Sequence, residues 1–568
     1  MFMAHRPFQR THGIPYFFRG GGLMLLICLC ACGGKAPTID PIDPVDELRL
    51  AIKHQLSQLK EDGSIQDSTR LLTPRETKNF YNENDFSGVW FIGDSLTPLS
   101  DSIHQLIRNS RKYGLFPSTY HLSALDRFQS AWDSDTLSKG IRKSFPEIAC
   151  HEILLTDAFL TLCRRIQYGH VAIDSLVKQD TYNPTLYVSA LKKVLARTSP
   201  DSVLVSLEPT NPGYQKLKAA LPGFLSRADF SKSYTYVQYP FRDSMTFIRS
   251  LISRLKEDRY LTDTVEQLDT AQLALVLRKV QSGRGLKVDG KYGPQLIGSL
   301  NNHDNEKFIK AAINLDRYRS QPDTLAEQYL LVNLPAFELQ VIDRDTVRLE
   351  SRVIIGKAKT PTPLLSSRMN QLIVFPTWTI PASIIEAEIL PAVKRDPGYL
   401  ARKGYNVYDQ AGNEIDPYAV DWSKYKKGIP YKIVQGEGIG NALGIMKFNF
   451  PNAHDVYLHD TNQRSLFSND NRSLSHGCVR IQNWEGLYRY VISLDSLKAA
   501  ERSEPFIRTD TIRQWLKEKT KRVMPLKSRL WIYFRYYTAA GKEGKLEVYN
   551  DVYGLDGPLR EQIMRSIR

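Results

Sequence analysis

The chain has little cysteine: six residues in 568. That is far below the density of a disulfide-stapled secreted scaffold, so apolar burial has to carry the fold. No Cys and His grouping has zinc-ligand spacing, and no basic zipper or RNA-binding signature occurs, which sets nucleic acid aside as a partner. No long hydrophobic run is present either. "LMLLICLCA", Leu23 to Ala31, falls well short of the roughly 20 apolar residues that span a bilayer as a helix. Disorder is excluded by a hydrophobic share of 42% against 24% charged residues, an ordinary globular balance. The length calls for roughly three or four domains. The net charge of +15 is spread along the chain and suits an acidic polymer or an anionic membrane as partner.

Arg6, Arg10 and Arg19 precede the short apolar run, the pattern of a secretory signal. "LCAC", Leu29 to Cys32, resembles a bacterial lipoprotein box, with Cys30 where Ala or Ser is commoner. That resemblance implies acylation at Cys32 and anchoring by lipid over residues 1–32; a plain signal peptide cleaved nearby is the alternative. Residues 33–46 read as a Pro-rich tether. Past the signal and Cys32, only Cys150, Cys163 and Cys478 remain. The first two share the helical stretch "EIACHEILLTDAFLTLCRRI", where thirteen residues separate them by about 20 Å, too far for a disulfide. Cys478 therefore invites a functional reading.

Residues 47–260 carry helical periodicity and no convergent acid, base and nucleophile, which makes them a scaffold. His151 and His170 read there as a helix-surface and a helix-end residue. Residues 261–320 run helix, turn, helix, with Asp289-Gly290 and Gly293-Pro294 as turn dipeptides. The D-G-x-x-G-P turn resembles that of the small three-helix peptidoglycan-binding domain, and Ile313 to Ser320 follow as a connecting helix. From 321 to 568 the period changes to strands such as "YLLVNLPAFELQVID" and "NQLIVFPTWTIP". An insertion of helix and loop at about 380–428 interrupts them, and the tail reads as a hairpin turning near Gly541 to Gly544. The expected fold class is multidomain α+β, with a mostly-β catalytic part.

"YLHDTNQRSLFSNDNRSLSHGCVRI", Tyr457 to Ile481, concentrates the chemistry. A cysteine becomes a nucleophile when an imidazole makes its thiolate available. Two histidines qualify. His476 is adjacent in sequence, whereas His459 ends the strand "VYLHD" and can approach if the Ser/Asn-rich loop folds back. Gly477 lets the backbone turn tightly, so that nearby N–H groups could face a carbonyl oxygen as an oxyanion hole.

His459 followed by "SHGCVR", Ser475 to Arg480, is similar to the signature of L,D-transpeptidases of the YkuD type. The order of parts resembles the large YcbB-type enzymes, as do "RDPGYLARKGY", "NALGIMKFNFPNAHDVYLHDT" and "TAAGKEGKLEVYNDVYG". The resemblance implies that Cys478 is the acylated nucleophile, His459 its base, and the Gly477–Cys478 backbone the oxyanion hole. It implies a supporting place for His476 behind the reacting groups and a carboxylate-binding role for Arg480. Tyr457, Trp378 and Ser475 become substrate contacts, with ordinary β-packing the other reading for the two aromatic residues, and the insertion becomes a cap over the cleft. The implied reaction is a 3→3 peptidoglycan cross-link made through a cysteine thioester with release of D-Ala, without metal or organic cofactor. Water or an envelope protein as acceptor are the alternatives, as is a non-catalytic peptidoglycan-binding protein. Expected partners are peptidoglycan stem peptides, a membrane through the lipid, and peptidoglycan synthases. The expected location is the periplasm, on the outer membrane because Gly33 follows Cys32 where Asp retains some lipoproteins at the inner one.

Overall fold

Proline opens most helices of the N-terminal part, where its fixed φ suits the first turn and its missing N–H has no partner to lose. The computed structural model describes residues 43–65, 69–138, 144–170, 184–321 and 325–567. Cys32, the apolar run before it and most of the tether lie outside them. The helices are α1 (Pro44–Ser57), α2 (Pro74–Glu83), α3 (Pro98–Arg108), α4 (Leu122–Ser138), α5 (Phe145–Tyr168), α6 (Pro184–Leu195), α7 (Pro200–Val205) and α8 (Pro212–Leu225). Two short ribbons, β1 (Ser64–Ile65) with β2 (Thr69–Arg70) and β3 (Phe91–Ile92) with β4 (Ser95–Leu96), lie among them.

Helix α5 is the axis of this part. It touches α1, α2, α3, α4 and α6 and is buried along most of its length, as a helix apolar on several faces must be. His151 is accordingly not a surface residue. It is buried and stacked on Phe128 with ring centroids 4.1 Å apart, and burial pushes its pKa down to about 3. The helical period marked its polarity, but the enclosing helices decided its exposure. Cys150 and Cys163 are both free on this helix.

Helices α9 (Ser244–Glu257), α10 (Thr270–Gly283) and α11 (Pro294–Leu300) share a small core of Phe247, Leu251, Leu255, Leu277, Val280, Leu296 and Ile297. Gly290 turns with φ +72°, and Gln281 ties the turn by accepting from the Asp289 and Gly290 N–H groups. Helix α12 (Asp304–Arg319) is more than a connector, because it is buried along most of its length. Its Arg319 donates to the carbonyls of Tyr113 and Ile166, to Asp316 and to the Tyr214 hydroxyl. One turn away, Asn314 exchanges hydrogen bonds with Thr538 of the C-terminal part. Helix α12 thus joins the two halves.

The C-terminal strands are β5 (Gln328–Asn333), β6 (Glu338–Asp343), β7 (Thr346–Gly356), β8 (Leu365–Arg368) and β9 (Gln371–Val374). After them come β10 (Trp378–Thr379), β11 (Tyr405–Tyr408), β12 (Glu414–Ile415), β13 (Lys432–Gln435), β14 (Met446–Asn449), β15 (Leu458–His459), β16 (Ser473–Ser475), β17 (Val479–Ile481), β18 (Arg522–Pro525) and β19 (Trp531–Arg535). The main sheet runs β18-β9-β14-β15-β17-β7-β6-β5-β19-β8, with β16 also on β7. β8 and β9, far apart in that order, are joined by Met369–Asn370, so the sheet curls back on itself. Leu330, Leu339, Val353, Leu372, Met446, Phe448, Leu458 and Val479 fill the interior. The helix Trp484–Glu501 covers it with Leu487, Tyr488 and Val491.

The stretch "NQLIVFPTWTIP" is not one strand. It gives β9 to the main sheet, bends at Phe375 with φ +45°, and gives β10 to a separate four-stranded sheet ordered β10-β13-β11-β12. That sheet, with α13 (Ala382–Ile384), a π turn at Ile385–Ile389 and α14 (Leu390–Arg395), closes over Ile380, Ile389, Leu390, Leu400, Val407, Trp422 and Ile433. The insertion thus contains strands where helix and loop were expected, and it has a core of its own. At the C-terminal end, β20 (Ala539–Lys542) and β21 (Lys545–Val548) form the expected hairpin. Gly541 brings it so close to α8 that a Cβ there would collide with the Lys216 carbonyl.

Candidate active site

Strand period 2 puts alternate residues on one face. In the parallel β15–β17 pair His459 is level with Arg480, and in the antiparallel β14–β15 pair it faces Lys447. One step earlier in the same register Tyr457 stands beside Cys478, where the Val479 N–H donates to the Tyr457 carbonyl. Lys447, Tyr457, His459, Cys478 and Arg480 therefore share one face, while Phe448, Leu458 and Val479 point into the core.

His459 is buried. Its Nδ1–H donates to the Asp460 carbonyl, which leaves Nε2 with its lone pair. Burial, then the charges of Arg480 and Lys447, push its pKa down to about 3 against the pull of the Asp460 and Leu443 carbonyls. The imidazole is thus neutral at physiological pH, the form a general base requires. A backbone carbonyl orients the ring. The Asp460 carboxylate is engaged elsewhere, with Arg464 at 2.7 Å and the Ile445 N–H at 3.2 Å.

Cys478 is free and half-buried, its Sγ 4.0 Å from the Asp455 carbonyl. Burial pushes the thiol pKa up. The Tyr457 backbone and hydroxyl, with Lys447 and Arg480, pull it back down. The turn before it is stapled from inside. Ser475 is buried; its hydroxyl donates to the Cys478 carbonyl at 2.6 Å and accepts from the Gly477 N–H at 3.1 Å. Thr362 donates to the Gly477 carbonyl at 2.7 Å and accepts from the Gly356 N–H at 2.9 Å. Gly477 itself sits at φ +125°. Its N–H is engaged by Ser475, whereas no hydrogen bond from the Cys478 N–H is found among the described residues.

Arg480 donates from Nη1 to Gln463 at 2.9 Å, and its buried Nε has no partner among the described residues. It opens onto a cleft of about 490 Å³ between the insertion (Arg402, Lys403, Gln435, Glu437) and the sheet (Asn462, Gln463). Trp378 belongs to the insertion through β10, and its side chain interacts with the Tyr457 hydroxyl. His476 is engaged by the insertion, with Nε2 at 2.8 Å from Glu388. Lys447, Thr362 and Glu388 were not singled out from the sequence. Alternation in "MKFN" could have placed Lys447 on the His459 face, whereas Thr362 and Glu388 carry no local signal. Among the described residues no group of three or more His, Cys, Asp or Glu side chains could hold a metal ion.

Residues 327–496, which contain this whole site, match the model of the L,D-transpeptidase catalytic domain, YkuD. Residues 75–221 match that of the Scaffold domain. Over 247 residues the sequence is 35% identical to a Haemophilus influenzae protein described as "Putative L,D-transpeptidase", covering 44% of this chain and 48% of that one. The chain thus spans about half the length of this curated relative. A solved structure described as "Structure of the Ldtfm-avibactam carbamoyl enzyme" is matched over 56% of this chain and 98% of that one, at 10% identity and a TM-score of 0.17, a likeness too low to bear on the fold or the site. The molecule therefore combines a helical scaffold domain with a mostly-β L,D-transpeptidase catalytic domain.

Proposed function

We propose that the protein is a periplasmic L,D-transpeptidase that forms 3→3 peptidoglycan cross-links through a thioester on Cys478. The observation that supports this reading is the neutral His459 on the same sheet face as the half-buried thiol. In the proposed cycle His459 Nε2 takes the thiol proton, and Sγ attacks the carbonyl joining the third residue of a donor stem to its terminal D-Ala. Charge builds on that oxygen, where the Cys478 N–H can donate. The C–N bond breaks, D-Ala leaves with the proton from His459, and the thioester remains. The side-chain amine of a second stem then attacks, His459 accepts its proton, and amide formation restores the thiol. Arg480, which lines the cleft and whose Nε has no partner among the described residues, suits a stem carboxylate.

The same reading has Cys32 lipidated, the chain on the outer membrane, and the insertion acting as the cap over the cleft. It also gives the α9–α11 unit a hold on peptidoglycan and makes synthases candidate partners. The test is mass spectrometry of muropeptides from strains carrying wild-type or Cys478→Ala protein. Loss of 3→3 dimers in the variant is expected, together with a carbapenem adduct on the wild-type protein only. Trimmed tripeptide stems without dimers would make the acceptor water. Adduct formation on the variant would overturn the assignment of the nucleophile.

A further inference from the structure

Lys447 is a cation without a carboxylate. It is half-buried on β14, and no Asp or Glu among the described residues lies within ion-pair distance of its Nζ. Its ammonium sits 3.7 Å from the centroid of the Tyr457 ring, within the range of a strong cation–π contact. The Tyr457 hydroxyl in turn interacts with Cys478 Sγ. A charge buried without a counter-ion is costly to keep, so an anion that forms beside it gains accordingly. The anion this site generates is the Cys478 thiolate.

We propose that Lys447 is a positioning residue of the acyl-transfer site: seated on the Tyr457 ring, its ammonium is the fixed counter-charge of the Cys478 thiolate. The proposal rests on Cys478 being the nucleophile. The ammonium is held on the ring and no hydrogen bond joins it to Sγ among the described residues, so Lys447 acts on the thiolate through charge and leaves the sulfur to attack. The cation also draws density from the phenol, which strengthens the hydroxyl as a donor to Sγ. Arg480 contributes a second positive charge from β17, but its Nη1 is engaged by Gln463 and the residue lines the cleft. Lys521, which approaches Lys447 from ahead of β18, is held by Thr377 at 2.9 Å. The other groups around the thiol are His459 on β15, Tyr457 and Asp455 before β15, and His476 with its partner Glu388. Lys447 and Arg480 are thus the cations on the thiol's own face with no carboxylate partner among the described residues, and of the two Lys447 is the one seated on the Tyr457 ring.

The test is the pH profile of Cys478 alkylation by iodoacetamide in the full chain, read by mass spectrometry of the Cys478 peptide, with Cys150 as internal reference. A lysine removed from beside a thiolate raises the thiol's apparent pKa, so Lys447→Met should slow Cys478 alkylation at pH 7 by about three- to tenfold. Lys447→Arg should stay within about twofold of wild type, because it keeps the charge on the ring. Should Met compromise folding, as seen by thermal unfolding, Lys447→Gln reads the same quantity. An alkylation profile unchanged by loss of the charge would overturn the proposal. So would a raised KM with an unchanged profile, which would make Lys447 a substrate contact instead. The readout needs no peptidoglycan, so its outcome is separate from that of the proposed reaction.

Discussion

His459 and Arg480 stand level across the parallel β15–β17 pair, and the guanidinium helps hold the imidazole neutral. This couples the base to the residue that faces the cleft. His459→Gln should cut turnover by about 10²- to 10⁴-fold, while Cys478 remains available to strong alkylating agents. The same substitution has a pH signature. The native imidazole stays neutral down to about pH 3, while an unfolded histidine protonates below about 6.5. The unfolded state then binds the extra proton, so stability present above pH 6.5 is lost as the pH falls toward 3. Between pH 7 and 4.5 this amounts to on the order of 2 kcal/mol. The wild-type urea midpoint should fall more steeply over that range than that of the Gln variant.

Gly477→Ala isolates backbone strain from crowding. A Cβ there would meet only Val456, at 3.8 Å, but φ is +125°. The expected loss is about 1–3 kcal/mol, measured by denaturant unfolding. Activity should fall further than stability, because relaxation of the turn displaces the thiol it carries.

Ser475→Ala leaves the buried Gly477 N–H and Cys478 carbonyl without their shared partner, at about 1–3 kcal/mol. A hydroxyl that staples the turn acts on kcat, whereas one that contacts substrate acts on KM. Steady-state kinetics should show a lowered kcat with little change in KM.

Glu388→Gln weakens a solvent-exposed hydrogen bond to His476, so stability should move by less than about 1 kcal/mol. His476 lies next to Gly477, and its partner belongs to the insertion. Loosening this contact should raise KM for a stem-peptide donor while leaving the thermal midpoint in place.

Arg319→Met strips a fully buried guanidinium from Asp316 and from the carbonyls of Tyr113 and Ile166. Burial already raises the Asp316 pKa, and removing its partner should destabilise the chain by about 3–5 kcal/mol. Calorimetry should show this, with kcat per folded molecule little changed, because Arg319 joins helices far in the chain from β15 and β17.

The motif was legible because its members lie within one strand–loop–strand stretch, and period 2 alone puts Tyr457 on the face of His459 and Cys478 on that of Arg480. The final hairpin was legible because Glu543 and Gly544 both turn with positive φ, a short-range signal. The sheet inside the insertion was not. Strands such as Tyr405–Tyr408 and Glu414–Ile415 are too short to establish a period, and Lys432–Gln435, which pairs with Tyr405–Tyr408, lies beyond a long loop.

The sequence by itself determined which side chains could act as nucleophile, base and anion contact, because those depend on residue type and local alternation. Tertiary structure decided their working state. It buried His459 between a carbonyl and two cations so that it stays neutral, engaged the Gly477 N–H with Ser475, and seated Lys447 on Tyr457 without an ion-paired carboxylate among the described residues. Each of these depends on desolvation and on neighbours brought in by strand pairing or from distant segments. Charge and hydrogen-bond partnership are properties of the packed site, whereas the order of residues supplies only the candidates.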